Sequence, residues 1–143
     1  MIVIGCDHAA VNLKKAIIEH LKEQNIAYLD MGTDGEACDY PDIAEKVCNK
    51  IISGEPEKWI LVCGTGVGMS IAANKIKGIR AAVCNDCFST RYTRKHNNAN
   101  VLCMGERVIG TGLALELVDI FIETEFEGGR HQRRVDKISA LEK

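Results

Sequence analysis

Cys63 heads the run Cys63-Gly64-Thr65-Gly66-Val67-Gly68, the segment whose residue types and spacing most plainly allow chemistry. Three alternating glycines let the backbone approach a ligand with no Cβ in the way. Successive N–H groups at the start of a helix make a concavity that favours negative charge. This is not the dinucleotide fingerprint, because GxGxxG would need glycine where Met69 stands. Neither GxxxxGK nor GxSxG occurs, which excludes a P-loop and a hydrolase elbow. A cysteine phosphatase would carry arginine six positions past its cysteine, and that position is again Met69. What remains is a thiol at the mouth of an anion hole. A helix N-terminus raises the reactive thiolate fraction, which suits proton transfer better than nucleophilic attack. An inert cysteine at a strand end is the plain alternative.

Three other groups could act with it. Asp7-His8 follows an apolar run, where Asp7 could touch a ligand or cap a helix. His96-Asn97 closes a polar helical stretch. Arg130, His131, Arg133 and Arg134 follow Gly128-Gly129, and Arg130 and Arg134 share a helical face at i, i+4. Two guanidinium groups on one face suit phosphate capture, though a solvated basic face has the same pattern. Cys84-Asn85-Asp86-Cys87 is the one CxxC. Zinc would need two more ligands at a compatible spacing, so packing or a helix start fits this pair better than metal or redox chemistry.

Alternating strands and helices must position these groups. Ile2 to Gly5 reads as a buried strand, and Leu13, Ile17 and Leu21 mark a helix with Lys14, Lys15, Lys22 and Glu23 outside its stripe. Residues 27–31 form a second strand. Pro41 suits a first helical position, with Ala44, Val47, Cys48 and Ile51 facing inward and Gly54-Glu55-Pro56 as the stop. Residues 59–63 form a third strand. A helix through Met69, Ala72, Ala73 and Ile76 follows the glycine loop and ends at Gly78. A fourth strand spans 79–84, a polar helix about 87–95, an Asn-rich turn 97–100 and a fifth strand 101–104. Leu113, Leu117 and Phe121 line the next helix, and the tail beyond Gly129 is basic and amphipathic. This order implies a parallel sheet with helices on both faces, whose ligands bind beyond the carboxyl ends of the strands.

Composition sets the outer bounds. The 143 residues make one domain, 1–143, and 46% hydrophobic with 27% charged residues is ordinary for a globular protein. A formal net charge of −2 and few aromatics (Phe 3, Tyr 3, Trp 1) argue against nucleic acid and against an acidic membrane surface. No apolar run approaches the ~20 residues of a membrane span. No leader precedes the first strand, and seven scattered cysteines suit the reduced thiols of the cytoplasm.

Taken together, these segments resemble the B-type ribose-5-phosphate isomerases, in the family that includes galactose-6-phosphate isomerase. The likeness runs through Gly5-Cys6-Asp7-His8, Asp39-Tyr40-Pro41, Cys63 to Lys75, Gly78 to Ala81, His96-Asn97, Ala99-Asn100-Val101 and Glu127 to His131. It implies a Rossmann-like three-layer fold with a five-stranded parallel sheet and a basic C-terminal helix packing towards a partner subunit. It also implies a homodimer or dimer of dimers with active sites shared between subunits, a sugar-phosphate substrate, and no metal or organic cofactor. Cys63 would be the base that moves the C2 proton of ribose 5-phosphate to C1, and the amides of Gly64, Thr65, Gly66, Val67 and Gly68 would hold the enediolate. His96 would open the furanose ring, with Thr65 and Asp7 as hydrogen-bond partners. Asn97 and Tyr40 would contact the sugar, and His8, Arg107, Arg130 and Arg134 would bind substrate or its phosphate. Some relatives use a glutamate as base; Ser70 stands at the matching place and favours the thiol. An isomerase of a 6-phosphorylated hexose and a non-catalytic sugar-phosphate sensor are the alternatives.

Overall fold

The computed structural model describes residues 1–50 and 58–142. Five strands pair in parallel in the order β2-β1-β3-β5-β4. They are β1 (Ile2–Cys6), β2 (Tyr28–Asp30), β3 (Lys58–Cys63), β4 (Ala81–Val83) and β5 (Val101–Gly105). The helices are α1 (Val11–Glu23), α2 (Tyr40–Cys48), α3 (Val67–Ala73), α4 (Cys87–Asn97), α5 (Thr111–Glu123) and α6 (Arg130–Ser139). The strand–helix alternation is therefore realised as a three-layer α/β fold. None of the described helices is long and apolar enough to cross a membrane.

Alternate residues of β1, β3 and β5 face two separate cores. On one face Ile2, Ile4, Ile60, Val62, Leu102 and Met104 meet Leu13, Ile17 and Leu21 of α1 and Ala114, Leu117 and Phe121 of α5. On the other, Val3, Trp59, Leu61, Cys63, Val101 and Cys103 meet Ile43, Ala44 and Val47 of α2 and Met69 and Ala73 of α3. Burial on both faces is why the central strands read as unbroken apolar runs. Cys63 thus leaves β3 on the α2–α3 side.

Several boundaries differ from the sequence reading. α3 stops at Ala73, and Ile76 packs on the core from beyond the helix. α4 runs on through Asn97, and Asn98 caps it in the left-handed region at φ 48. Leu113 is exposed, because α5 turns Ala114, Leu117, Val118 and Phe121 inward instead. Ile51 and the stop at Gly54-Glu55-Pro56 lie outside the described residues. Lys14 is fully buried rather than outside the α1 stripe. Its ammonium reaches the Thr33 carbonyl at 3.0 Å, Asp30 at 3.0 Å and Asp34 at 3.1 Å. Lys58 is also largely enclosed, and burial, with Arg94 nearby, pulls its ammonium down to about 8.

Candidate active site

Strand order reverses between β1 and β3, since the chain goes to β2 on one side and to β5 and β4 on the other. A crevice opens at such a point beyond the carboxyl ends of the strands. Asp7 and His8 leave β1, the glycine loop leaves β3 and Arg107 follows β5. These ends are tied together: Asp7 N–H donates to the Val62 carbonyl (3.2 Å), Glu106 N–H to Cys63 (2.9 Å) and Arg107 N–H to Gly64 (3.1 Å). The cleft they form is about 360 Å³ and is lined by Asp7, His8, Tyr40, Cys63, Gly64, Thr65, Gly68 and Arg107.

Cys63 is 5% exposed, and its Sγ accepts the Gly66 N–H at 3.1 Å. A thiolate fills that acceptor role better than a thiol. Gly66 can make this turn because its φ is 81, and a Cβ there would lie 2.8 Å from the Met104 backbone. Val67 N–H donates to Thr65 Oγ1 at 3.3 Å. Two of the five expected loop amides are thus already engaged. The N–H groups of Gly64, Thr65 and Gly68 have no partner among the described residues and are the ones left for an anion. Tyr40 lies over this surface, so close that a Cβ on Gly68 would fall 2.5 Å from its ring.

Asp7 is buried but is not a helix cap: its carboxylate accepts the Ala9 N–H at 3.0 Å, before α1 begins. One α1 amide is met instead by Glu106, whose Oε1 accepts the Leu13 N–H at 2.6 Å. His8 Nδ1 accepts the Cys38 N–H at 3.3 Å, which ties the loop before α2 to the cleft. The CxxC pair is a helix start. Asp86 caps α4 through the Ser89 N–H (2.6 Å), and burial pushes the Cys84 thiol up, away from reactivity. All seven cysteines are free.

His96 and Asn97 are not in the Cys63 cleft. α4 leaves the carboxyl end of β4 and returns to the start of β5, so its last turn lies at the opposite end of the sheet. The helix is about 16 Å long at 1.5 Å per residue, which places His96 beyond hydrogen-bonding reach of Thr65 and Asp7 of the same chain. His96 and Asn97 instead line a cleft of about 400 Å³ with Phe88 and Tyr92. α6 packs on α4 through buried His131 and Val135, leaving Arg130 and Arg134 exposed at this second locus. A further cleft, about 540 Å³, lies beside β4 and is lined by Asn74, Arg80, Ile138, Leu141 and the Glu142 carboxylate, with no cysteine or histidine in its lining. Sequence reasoning passed over Glu106 and named Glu127 and His131 without linking them to His96, because each acts on a residue far along the chain or across a glycine turn.

The chain matches the family model described as Ribose/Galactose Isomerase over residues 2–138. It is 48% identical to ribose-5-phosphate isomerase B of Escherichia coli, over 99% of this chain and 95% of that protein. It is 44% identical to D-erythrulose-4-phosphate isomerase of Pectobacterium atrosepticum, over 99% and 94% of the two chains. The solved ribose-5-phosphate isomerase B of Clostridium thermocellum superposes with a TM-score of 0.93 at 50% identity, covering 98% of this chain and 95% of that one.

Proposed function

The chain belongs to the ribose/galactose isomerase family and is a sugar-phosphate isomerase, and from that premise we propose that it interconverts D-ribose 5-phosphate and D-ribulose 5-phosphate with Cys63 as base. The observation that carries this reading is the Cys63 sulfur, held by the Gly66 N–H and facing a cleft that also holds Arg107 and unengaged loop amides. Aldose–ketose exchange needs a base beside C1 and C2, donors for a developing enediolate and an anchor for the phosphate. Cys63 takes the C2 proton, the Gly64, Thr65 and Gly68 amides hold the enediolate oxygens, and the protonated thiol returns a proton to C1. Tyr40, Asp7 and His8 orient the sugar.

Ring opening belongs to His96, and two copies must then meet so that His96 of the partner subunit reaches the Cys63 cleft. The opposite placement of the two loci within one chain supports this. So do the exposed apolar side chains beside each: Val67 and Ile71 on α3, and Val83 and Phe88 next to His96. Asn97, Arg130 and Arg134 come with His96 and supply sugar and phosphate contacts. The site needs neither metal nor organic cofactor.

The test is ribulose 5-phosphate formation from ribose 5-phosphate with a chelator present. Activity that survives chelation, with a kcat/KM above those for D-erythrulose 4-phosphate and for a hexose 6-phosphate, is the expected result. A higher value on either other sugar overturns the pentose assignment. Binding of ribose 5-phosphate without exchange of its C2 hydrogen into deuterated water would mark a sensor instead.

A further inference from the structure

His96 ends α4 among groups brought by three parts of the chain. Glu127 Oε1 lies 3.6 Å from its Nε2. The His131 ring stacks on it with centroids 4.1 Å apart and planes at 11°, and Tyr92 meets it edge-on at 5.1 Å. Backbone bonds fix this approach: Glu127 N–H donates to the Lys95 carbonyl at 3.1 Å, and His131 N–H to Gly128 at 3.0 Å. Gly128 and Gly129 reverse the chain between them at φ 69 and 57. Desolvation, reinforced by His96 and Arg130, holds the His131 imidazole below the ordinary histidine value. Lys95 sits over the Tyr92 ring, and Arg130 and Arg134 act on His131, leaving Glu127 as the carboxylate beside His96.

The ligand-type atoms of His96, Glu127 and His131 lie within 4.8 Å of one another, and two histidines with a glutamate can hold zinc. Two imidazoles stacked nearly parallel, however, send their lone pairs along parallel lines that do not converge on one ion. The arrangement suits a proton.

We propose that Glu127 and His131 are positioning residues that set His96 for opening the furanose ring, a step that rests on the function proposed above. Opening breaks C1–O4 and forms C1=O1, while one proton leaves O1 and one arrives at O4. An imidazole that accepts the first and delivers the second passes through imidazolium. The Glu127 carboxylate stabilises that cation and fixes which nitrogen faces the sugar, and the His131 ring stops His96 from rotating away.

Ribulose 5-phosphate separates the steps, because its phosphorylated 5-oxygen keeps it open-chain. Exchange of its C1 hydrogen with deuterated solvent reads enediolate formation, and turnover of ribose 5-phosphate reads ring opening as well. For Glu127→Gln the expected result is exchange within about 2-fold of wild type, with kcat on ribose 5-phosphate down about 10-fold at unchanged KM. Glu127→Asp recovers part of the loss, and His131→Phe, which keeps a stacked ring, retains more turnover than His131→Ala. Equal losses in both assays, or no loss in turnover, overturn the positioning role while the isomerase reading stands. A wild type inactive on ribose 5-phosphate overturns both.

Discussion

At the scale of single residues, the case for catalysis rests on what surrounds one sulfur. Cys63 has a donor at 3.1 Å from Gly66 and is closed off from bulk water except at the cleft. Replacing it with alanine removes the proposed base and leaves the amides and arginine proposed to bind the sugar. Cys63→Ala should lower kcat about 10³-fold, within the usual range for general-base loss, with KM changed less than about 3-fold. Steady-state assays of wild type and variant check this, and a kcat loss under 10-fold would remove Cys63 from the role. Gly66→Ala tests the donor. At φ 81, with the Met104 backbone 2.8 Å from a new Cβ, the loop must shift. We expect about 2 kcal/mol of lost stability and a further drop in kcat as the N–H leaves Sγ. A thermal melt and an assay on the same sample read both, and an unchanged melting point would contradict the strain. The glycine pattern was plain from spacing alone. Which amides it leaves unengaged was not, because Thr65 Oγ1 and Cys63 Sγ are acceptors within the loop itself.

At the scale of elements, Lys14 is where pattern and packing part company. A lysine one step from Leu13 on an amphipathic helix reads as solvated, yet here the β2 carboxyl end supplies Asp30 and the following turn Asp34 and the Thr33 carbonyl. Burial pulls the Lys14 ammonium down, but its bonds to Asp30 and Asp34 outweigh that, and its pKa stands above the usual 10.5. A raised folded value means that the contribution to stability is complete below the unfolded value and is lost as pH rises through the folded one. Urea midpoints taken from pH 8 to 11 should therefore fall more steeply for wild type than for Lys14→Met, and parallel curves would refute the coupling. The strands were legible because period, length and flanking glycines agreed. The partners of Lys14 were not, since they come from another element. Nor was the Glu106 acceptor for α1, which lies 93 residues from Leu13 along the chain. Leu113 misled for a related reason: Leu113 with Leu117, and Ala114 with Leu117 and Val118, each fit a helical stripe, and only the neighbouring sheet selects which face turns in.

At the scale of the whole molecule, the fold separates the two sets of groups that the proposed chemistry needs together. Parallel strands put Cys63, Thr65 and Arg107 at one end of the sheet, and the antiparallel return of α4 carries His96 and α6 to the other. No side-chain rotation closes a gap of that kind, whereas a two-fold pairing closes it twice at once. Cys63→Ala and His96→Ala should therefore each be nearly inactive alone yet complement each other. Equal mixing with free subunit exchange gives half the dimers as hybrids. Each hybrid has one site with both defects and one with neither, so activity should return to about a quarter of wild type. Co-expression with two different affinity tags isolates the hybrids, in which about half of wild-type activity is expected. Hybrids that form but stay inactive would mean that each chain serves its own cleft, and His96 would then lose its place in the reaction. Activity rising only on the timescale of subunit exchange would tie recovery to the new interface rather than to carry-over of an intact enzyme.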